Sequence, residues 1–245
     1  MMVLKVVGSG SKGNGYIIEG ENEALLIEAG CKAIDVKKAL GFQISKVVGM
    51  LISHQHGDHC KYIGQYMDLG FPIYTNDETQ KFIKDIYGEV AKGIRELKPI
   101  VIGRFSVTPF YVPHNGIANF GYLIKHEEMG KLLFLTDSEL CPYSFKGVGI
   151  NHLVIENNYD AELIDPSFPN YKHKILGHCS TQTMLGIVEE NKSDVLQSVI
   201  LCHLGEGSNP YDAVKQVKEK VSSSCLVELA TKGKEIKLEK DWKEE

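Results

Sequence analysis

The chain lacks any apolar run near the roughly 20 residues that a membrane-crossing helix needs, so no membrane partner is expected. Its opening, "MMVLKVVGSGSKGNG", is too short and too broken by glycine to hold a secretory core and cleavage site. No CxxC pair occurs among Cys31, Cys60, Cys141, Cys179, Cys202 and Cys225. In a chain of 245 residues, that scatter reads as reduced, buried thiols of a cytoplasmic protein rather than as a disulfide framework. A basic excess is missing too. The net charge of −5 gives no global attraction to nucleic acid or to anionic lipid. A phosphate-bearing substrate stays possible, because bound divalent cations do not enter that count. Tandem repeats, low-complexity linkers and composition breaks are likewise absent, so residues 1–245 read as one domain with a solvated tail from about 239.

What is present is a strand-rich pattern with short helices. Met2–Val7, the hairpin Gly15–Glu19 with Ala24–Glu28, and the fully apolar Val47–Ile52 read as strands. Phe105–Val112, Phe120–Lys125, Leu132–Leu135, Leu153–Ile155 and Ser198–Cys202 follow, and Leu226–Leu238 reads as a terminal strand pair. Helical spacing appears over Ile34–Leu40, Cys60–Leu69, Thr79–Tyr87, Thr181–Glu190 and Tyr211–Val221. Asn76 or Asp77 caps the third of these and Ser180 the fourth, while Pro210 opens the last. The Pro-containing "LIDPSFPNYKHK" is expected to be loop.

Four apolar runs end in metal-ligand residues. "VVGMLIS" ends in "HQHGDH" (His54, His56, Asp58, His59), "FSVTPFYVP" in His114, "KLLFLT" in Asp137 and "SVILC" in His203. Buried strands that deliver polar groups at one end build a site on a rigid floor. Imidazole and carboxylate donors without a cysteine cluster suit Zn, Mn or Fe and argue against a closed structural finger. His54 and His56 can point to one side of an extended turn while Asp58 and His59 leave it in another direction. Seven ligands exceed one tetrahedral ion but suffice for two that share a carboxylate.

His-x-His-x-Asp-His after a buried strand resembles the signature of the metallo-β-lactamase fold, with His114, Asp137 and His203 following in family order. The segment "GSGSKGNGYIIEGENEALLIEAG", with "IENNYD" and "LGHCST", is similar to a small single-domain bacterial branch with 5′-exonuclease activity on DNA. The resemblance implies an α/β fold, an αββα sandwich of two mixed sheets with helices on the outer faces. It implies that His54, His56 and His114 hold one divalent ion, that Asp58, His59 and His203 hold a second, and that Asp137 bridges them. A hydroxide between the ions would attack phosphorus, with Asp58 able to orient it. Two positions depart from the branch: Glu28 stands for a shorter carboxylate, and Tyr159 for a histidine.

Other polar residues carry two readings. His178 either caps the helix near Ser180 or contacts a phosphate or leaving group. Ser9, Ser11 and Asn14 either belong to a flexible glycine-rich turn or line the substrate site. Lys12, Lys172 and Lys174 either face solvent or touch a nucleic-acid backbone. His126, His152 and His173 read as structural. The leading expectation is a metal-dependent phosphodiesterase acting on nucleic acid, DNA before RNA. The rival readings are a hydrolase of a small thioester, lactone or β-lactam, and an inactive metal-binding scaffold.

Overall fold

Alternation along single strands shows how the layers form. In a strand at Gly130–Leu135, Leu132 and Phe134 enter one apolar cluster while Leu133 and Leu135 enter another. Such a strand is buried on both faces, which is why it reads as a continuous apolar run. A computed structural model describes residues 1–88, 91–167, 169–205 and 207–240.

Fourteen strands appear among the described residues. They are β1 (Met2–Gly8), β2 (Gly15–Glu19), β3 (Ala24–Ile27), β4 (Val47–Leu51), β5 (Ile73–Thr75), β6 (Ala91–Gly93) and β7 (Ile100–Ile102). After them come β8 (Phe105–His114), β9 (Ile117–His126), β10 (Gly130–Leu135), β11 (His152–Glu156), β12 (Ser198–Cys202), β13 (Leu226–Leu229) and β14 (Glu235–Leu238). One sheet runs β14-β1-β2-β3-β4-β5-β6 and the other β13-β12-β11-β10-β9-β8-β7. Both are mixed: β3 to β6 pair in parallel, as do β10 to β13, and the remaining pairs are antiparallel.

The seven α-helices among the described residues are α1 (Ala33–Ala39), α2 (Gly57–Cys60), α3 (Ile63–Met67), α4 (Asp77–Tyr87), α5 (Tyr171–Gly177), α6 (Thr181–Asn191) and α7 (Pro210–Lys218). Between the sheets lie Leu4, Tyr16, Ile18, Phe105, Tyr122 and Phe134. The outer face of the first sheet packs Ile17, Leu26 and Ile52 against Val36, Ile63 and Ile83 of α1, α3 and α4. The outer face of the second packs Leu133, Ile155 and Leu201 against Met184, Val188 and Val217 of α6 and α7. The result is the expected αββα sandwich, and all six cysteines are free. No helix among the described residues is long and apolar enough to cross a membrane.

Three local expectations are corrected. The terminal strands do not pair with each other: β13 joins β12 in one sheet and β14 joins β1 in the other. The stretch read as loop through Lys174 turns helical at Tyr171, as α5. The helix expected over Cys60–Leu69 is split at Lys61–Tyr62 into α2 and α3, where the Tyr62 amide donates to Ala29 O. The tail is described as far as Lys240, and residues 241–245 lie outside the described residues.

Candidate metal centre

The carboxyl ends of β4, β8, β10, β11 and β12 open on one rim, and the polar residues that end the apolar runs gather there. His54 follows β4, His114 closes β8, Asp137 lies just past β10, Glu156 closes β11 and His203 follows β12. Glu28, Asp137 and His203 have φ of 69°, 49° and 43°. A strand would send successive side chains to opposite faces. The left-handed turn at each strand end swings the polar group toward the rim instead, a conformation that Asp and His tolerate better than branched residues.

One set of nitrogens belongs to His54, His56 and His114. His56 Nδ1 lies 3.0 Å from His54 Nε2 and 2.9 Å from His114 Nε2. Donors about 2.0–2.1 Å from a tetrahedral ion stand about 3.3 Å apart, so this spacing fits a cation better than it fits three imidazoles sharing too few protons. Supporting bonds select the converging atoms. His114 Nδ1 donates to Gly177 O, and His54 Nδ1 is 2.9 Å from Ser53 Oγ. Burial lowers the basicity of all three, with His114 brought down to about 4, so they are neutral and ready to donate lone pairs.

The second set is Asp58, His59 and His203. Asp58 Oδ2 lies 3.3 Å from His59 Nε2 and 3.4 Å from His203 Nε2. Glu28 Oε2 sits 3.4 Å from His59 Nδ1 and also accepts from Ser53 N, so the longer side chain still supports the centre. Asp137 joins the two sets. Its Oδ2 is 3.9 Å from His54 Nε2, 3.8 Å from His114 Nε2 and 3.3 Å from His59 Nε2. The residues therefore fit divalent metal ions in donor type, spacing and burial. The structure brings all seven expected ligands together.

A third group was not singled out from the sequence. Glu156, fully buried, lies through Oε1 2.7 Å from His178 Nδ1 and 2.9 Å from His203 Nδ1. Its Oε2 accepts from Ser138 N and Cys179 N, both at 3.0 Å. Burial alone would raise this carboxyl, but His178 and His203 overcome it and hold it at about 2. The His178 ring responds in the opposite sense: burial disfavours its charge, yet Glu156 keeps its pKa above the usual histidine value. The signal for Glu156 was available, since "HLVIE" ends an apolar run as the other strands do.

Of the expected substrate residues, Ser11 and His178 line the open cleft of about 280 Å³. Asn14 is buried and turned inward, with Nδ2 3.1 Å from Asp58 Oδ2 and 3.0 Å from His59 Nε2. Ser9 Oγ accepts from His203 N and from Tyr16 OH. Ser180 does cap α6, accepting from Thr183 N, and His178 lies two residues outside that cap with its Nδ1 on Glu156. His173 does not stay apart as a structural residue: α5 carries it into the cleft, its ring centroid 5.3 Å from that of His178 and 6.1 Å from that of His56. Lys174 lines the same cleft. His126 beside Glu23 and His152 beside Ser198 remain in buried polar pairs. Tyr159 is buried and bridges through its backbone to Ser180 and Gly207.

Comparison with known proteins gives a consistent pattern. Residues 8–119 match the profile of the Metallo-beta-lactamase superfamily. Exodeoxyribonuclease YycJ of Bacillus anthracis is 28% identical over 223 residues, covering 84% of this chain and 83% of that protein. Exodeoxyribonuclease WalJ of Streptococcus pneumoniae is 25% identical over 222 residues, covering 83% and 82%. The crystal structure of the metallo-beta-lactamase fold protein YhfI from Bacillus subtilis has a TM-score of 0.74 at 20% identity, covering 96% of this chain and 98% of that one.

Proposed function

Because the chain carries a metallo-beta-lactamase superfamily domain in the fold of that name, we propose that it is a dinuclear metal-dependent phosphodiesterase, a DNA exonuclease. The single observation that carries this reading is the position of Asp137, whose Oδ2 faces His54 and His114 on one side and His59 on the other. His54, His56 and His114 would hold one ion of Zn, Mn or Fe, and Asp58, His59 and His203 a second. Divalent ions at such a centre, when bound, supply Lewis acidity and lower the pKa of water to about 7.

The remaining chemistry belongs to the chain. Asp58, fixed by Asn14, orients the attacking water. His178 holds its Nδ1 on Glu156 and presents Nε2 to the cleft, where it hands a proton to the departing oxygen. Ser11 and Lys174 bind the phosphate oxygens from the rim. DNA as the substrate is supported by the names of the two exodeoxyribonuclease relatives; 5′ polarity rests on the sequence resemblance. Six unpaired thiols support a cytoplasmic setting.

A carbonyl hydrolase is less well supported, because among the described residues the cleft itself is lined by polar side chains and glycine, and the apolar side chains Leu163, Ile164 and Tyr171 lie in a neighbouring groove that meets it at Asn170 and Lys174. The test offers metal-reconstituted protein labelled DNA, RNA, bis-p-nitrophenyl phosphate and nitrocefin, with metal content measured in parallel. Cleavage of DNA and of bis-p-nitrophenyl phosphate is expected. Nitrocefin turnover with intact nucleic acid would replace this reading by the carbonyl one.

A further inference from the structure

The glycine-rich segment 8–14 has two sides. Toward the metal centre it presents Ser11 to the cleft and Asn14 to Asp58 and His59. Away from it, Ser9, Lys12 and Gly13 form one wall of a separate groove of about 630 Å³. Gly30, Lys32 and Lys38, at the end of the β3–α1 turn and along α1, face that wall, and Lys232 reaches in from the β13–β14 connection. The wall between groove and metal centre is one residue thick. Ser9 lines the groove and holds His203 N at 2.8 Å, and Gly13 lines it directly before Asn14.

The charge of this groove opposes that of the chain. Lys12, Lys32, Lys38 and Lys232 face a single carboxylate, Asp35, although the chain carries a net charge of −5. All four lysines are exposed, and none has a side-chain hydrogen bond or ion pair among the described residues. Elsewhere Lys5 and Lys46 are taken up by Glu19. Glycine backbone in direct contact forms the floor between the lysines: a Cβ on Gly13 would lie 2.3 Å from Gly30 O, and Gly30 N donates to Asn14 O. Apolar surface is interleaved with the charge, from half-buried Tyr62 and from Ile34, which is 44% exposed. Cationic grooves with aromatic surface bind single strands through backbone charge and base stacking.

We propose that this groove holds the phosphodiester backbone of a single DNA strand whose scissile linkage lies at the metal centre, across the segment 8–14. The proposal rests on the phosphodiesterase reading above, and the experiment separates the two. Lys32→Glu combined with Lys232→Glu is compared with wild type for binding of a fluorescent phosphorothioate oligonucleotide by anisotropy across a salt series. Cleavage of the unmodified oligonucleotide and of bis-p-nitrophenyl phosphate is measured beside it.

The expected result is an affinity at least about tenfold weaker at low salt, with the slope of log K against log salt reduced by about 0.7 for each lost phosphate contact. KM for the oligonucleotide rises in step, while turnover of bis-p-nitrophenyl phosphate is unchanged. Equal affinity and slope in the two proteins, or a wild type that does not bind the strand, overturns the groove. Lysine-dependent binding without cleavage of either substrate supports strand capture and overturns the activity instead.

Discussion

Replacing His178 with alanine separates proton donation from metal chemistry. The fold should survive, because Glu156 Oε1 is not orphaned: it keeps His203 Nδ1 at 2.9 Å and Asn158 Nδ2 at 3.1 Å, and Oε2 keeps two backbone amides. One charge-assisted bond is lost, about 1.5–3 kcal/mol. That is within what a domain of ordinary stability can spare. Catalysis should suffer more selectively. An alkoxide leaving a DNA linkage needs a proton in the transition state, so kcat/KM on an oligonucleotide should fall about 10²–10⁴-fold, equivalent to about 3–5 kcal/mol of barrier. A p-nitrophenolate leaves unaided, so bis-p-nitrophenyl phosphate should lose less than about tenfold by the same reasoning. Steady-state kinetics on both substrates, with metal content verified, give the comparison. Equal losses would show that His178 serves the metal centre rather than the leaving group, and no loss on DNA would remove it from the mechanism.

Other consequences follow from single contacts. His152 is buried beside Ser198 and its pKa is pushed down to about 4 by burial. It is therefore neutral when folded, and its contribution is complete above the unfolded value near 6.5 and lost as pH falls toward 4. Urea denaturation at pH 7 and pH 5 should show about 2 kcal/mol of acid destabilisation from this group, and His152→Gln should lack that increment. Asn76→Ala removes the cap on Thr79 N and the bonds to Ser53 O and Ala118 O. It should cost about 2–3 kcal/mol in urea midpoint analysis. Gly30→Ala places a Cβ 1.6 Å from Asp58 O, so Asp58 must move and metal content by elemental analysis should fall; a fully loaded variant would contradict this packing. Asp137→Asn weakens the donor facing both ligand sets and should leave less than one ion per chain after dialysis.

How much of this was legible depended on whether a residue's position is set by its own strand. His54, Asp137 and His203 each follow a continuous apolar run, and a strand buried on both faces has one place to put its final polar residue; His114 ends the alternating strand β8, on the same side as the buried residues of that strand's second half. Glu156 obeys the same rule, as the last residue of the fully buried β11, and its carboxylate faces the rings of His178 and His203. His173 could not be found that way. Its helix has no apolar period of its own. It is held where Asn115 N donates to Leu176 O and His114 Nδ1 to Gly177 O, contacts between segments far apart in the chain. The parting of β13 from β14 was hidden for a related reason. Two short strands around a glycine turn look like a hairpin, but the first is claimed by β12 and the second by β1.

The left-handed residues at the rim show how such a centre persists. Glu28, Asp137 and His203 each depart from favoured backbone geometry, and three strains of about 1–3 kcal/mol would together rival the whole stability of a domain. Each is opposed by bonds made at the strained residue itself. Glu28 N donates to Leu51 O, and Glu28 Oε2 accepts from Ser53 N. Asn119 Nδ2 donates to the carbonyls of Thr136 and Asp137. His203 N donates to Ser9 Oγ. All four partner groups come from outside the strained strand: Leu51 O and Ser53 N from β4 and the residues just after it, Asn119 Nδ2 from β9, and Ser9 Oγ from the glycine-rich segment. The centre is thus assembled only when both sheets have packed, and a ligand side chain arrives already turned toward its partners. Loosening any one of those donors should therefore release strain and lower metal affinity together, a coupling that a site built on relaxed strand ends would not show.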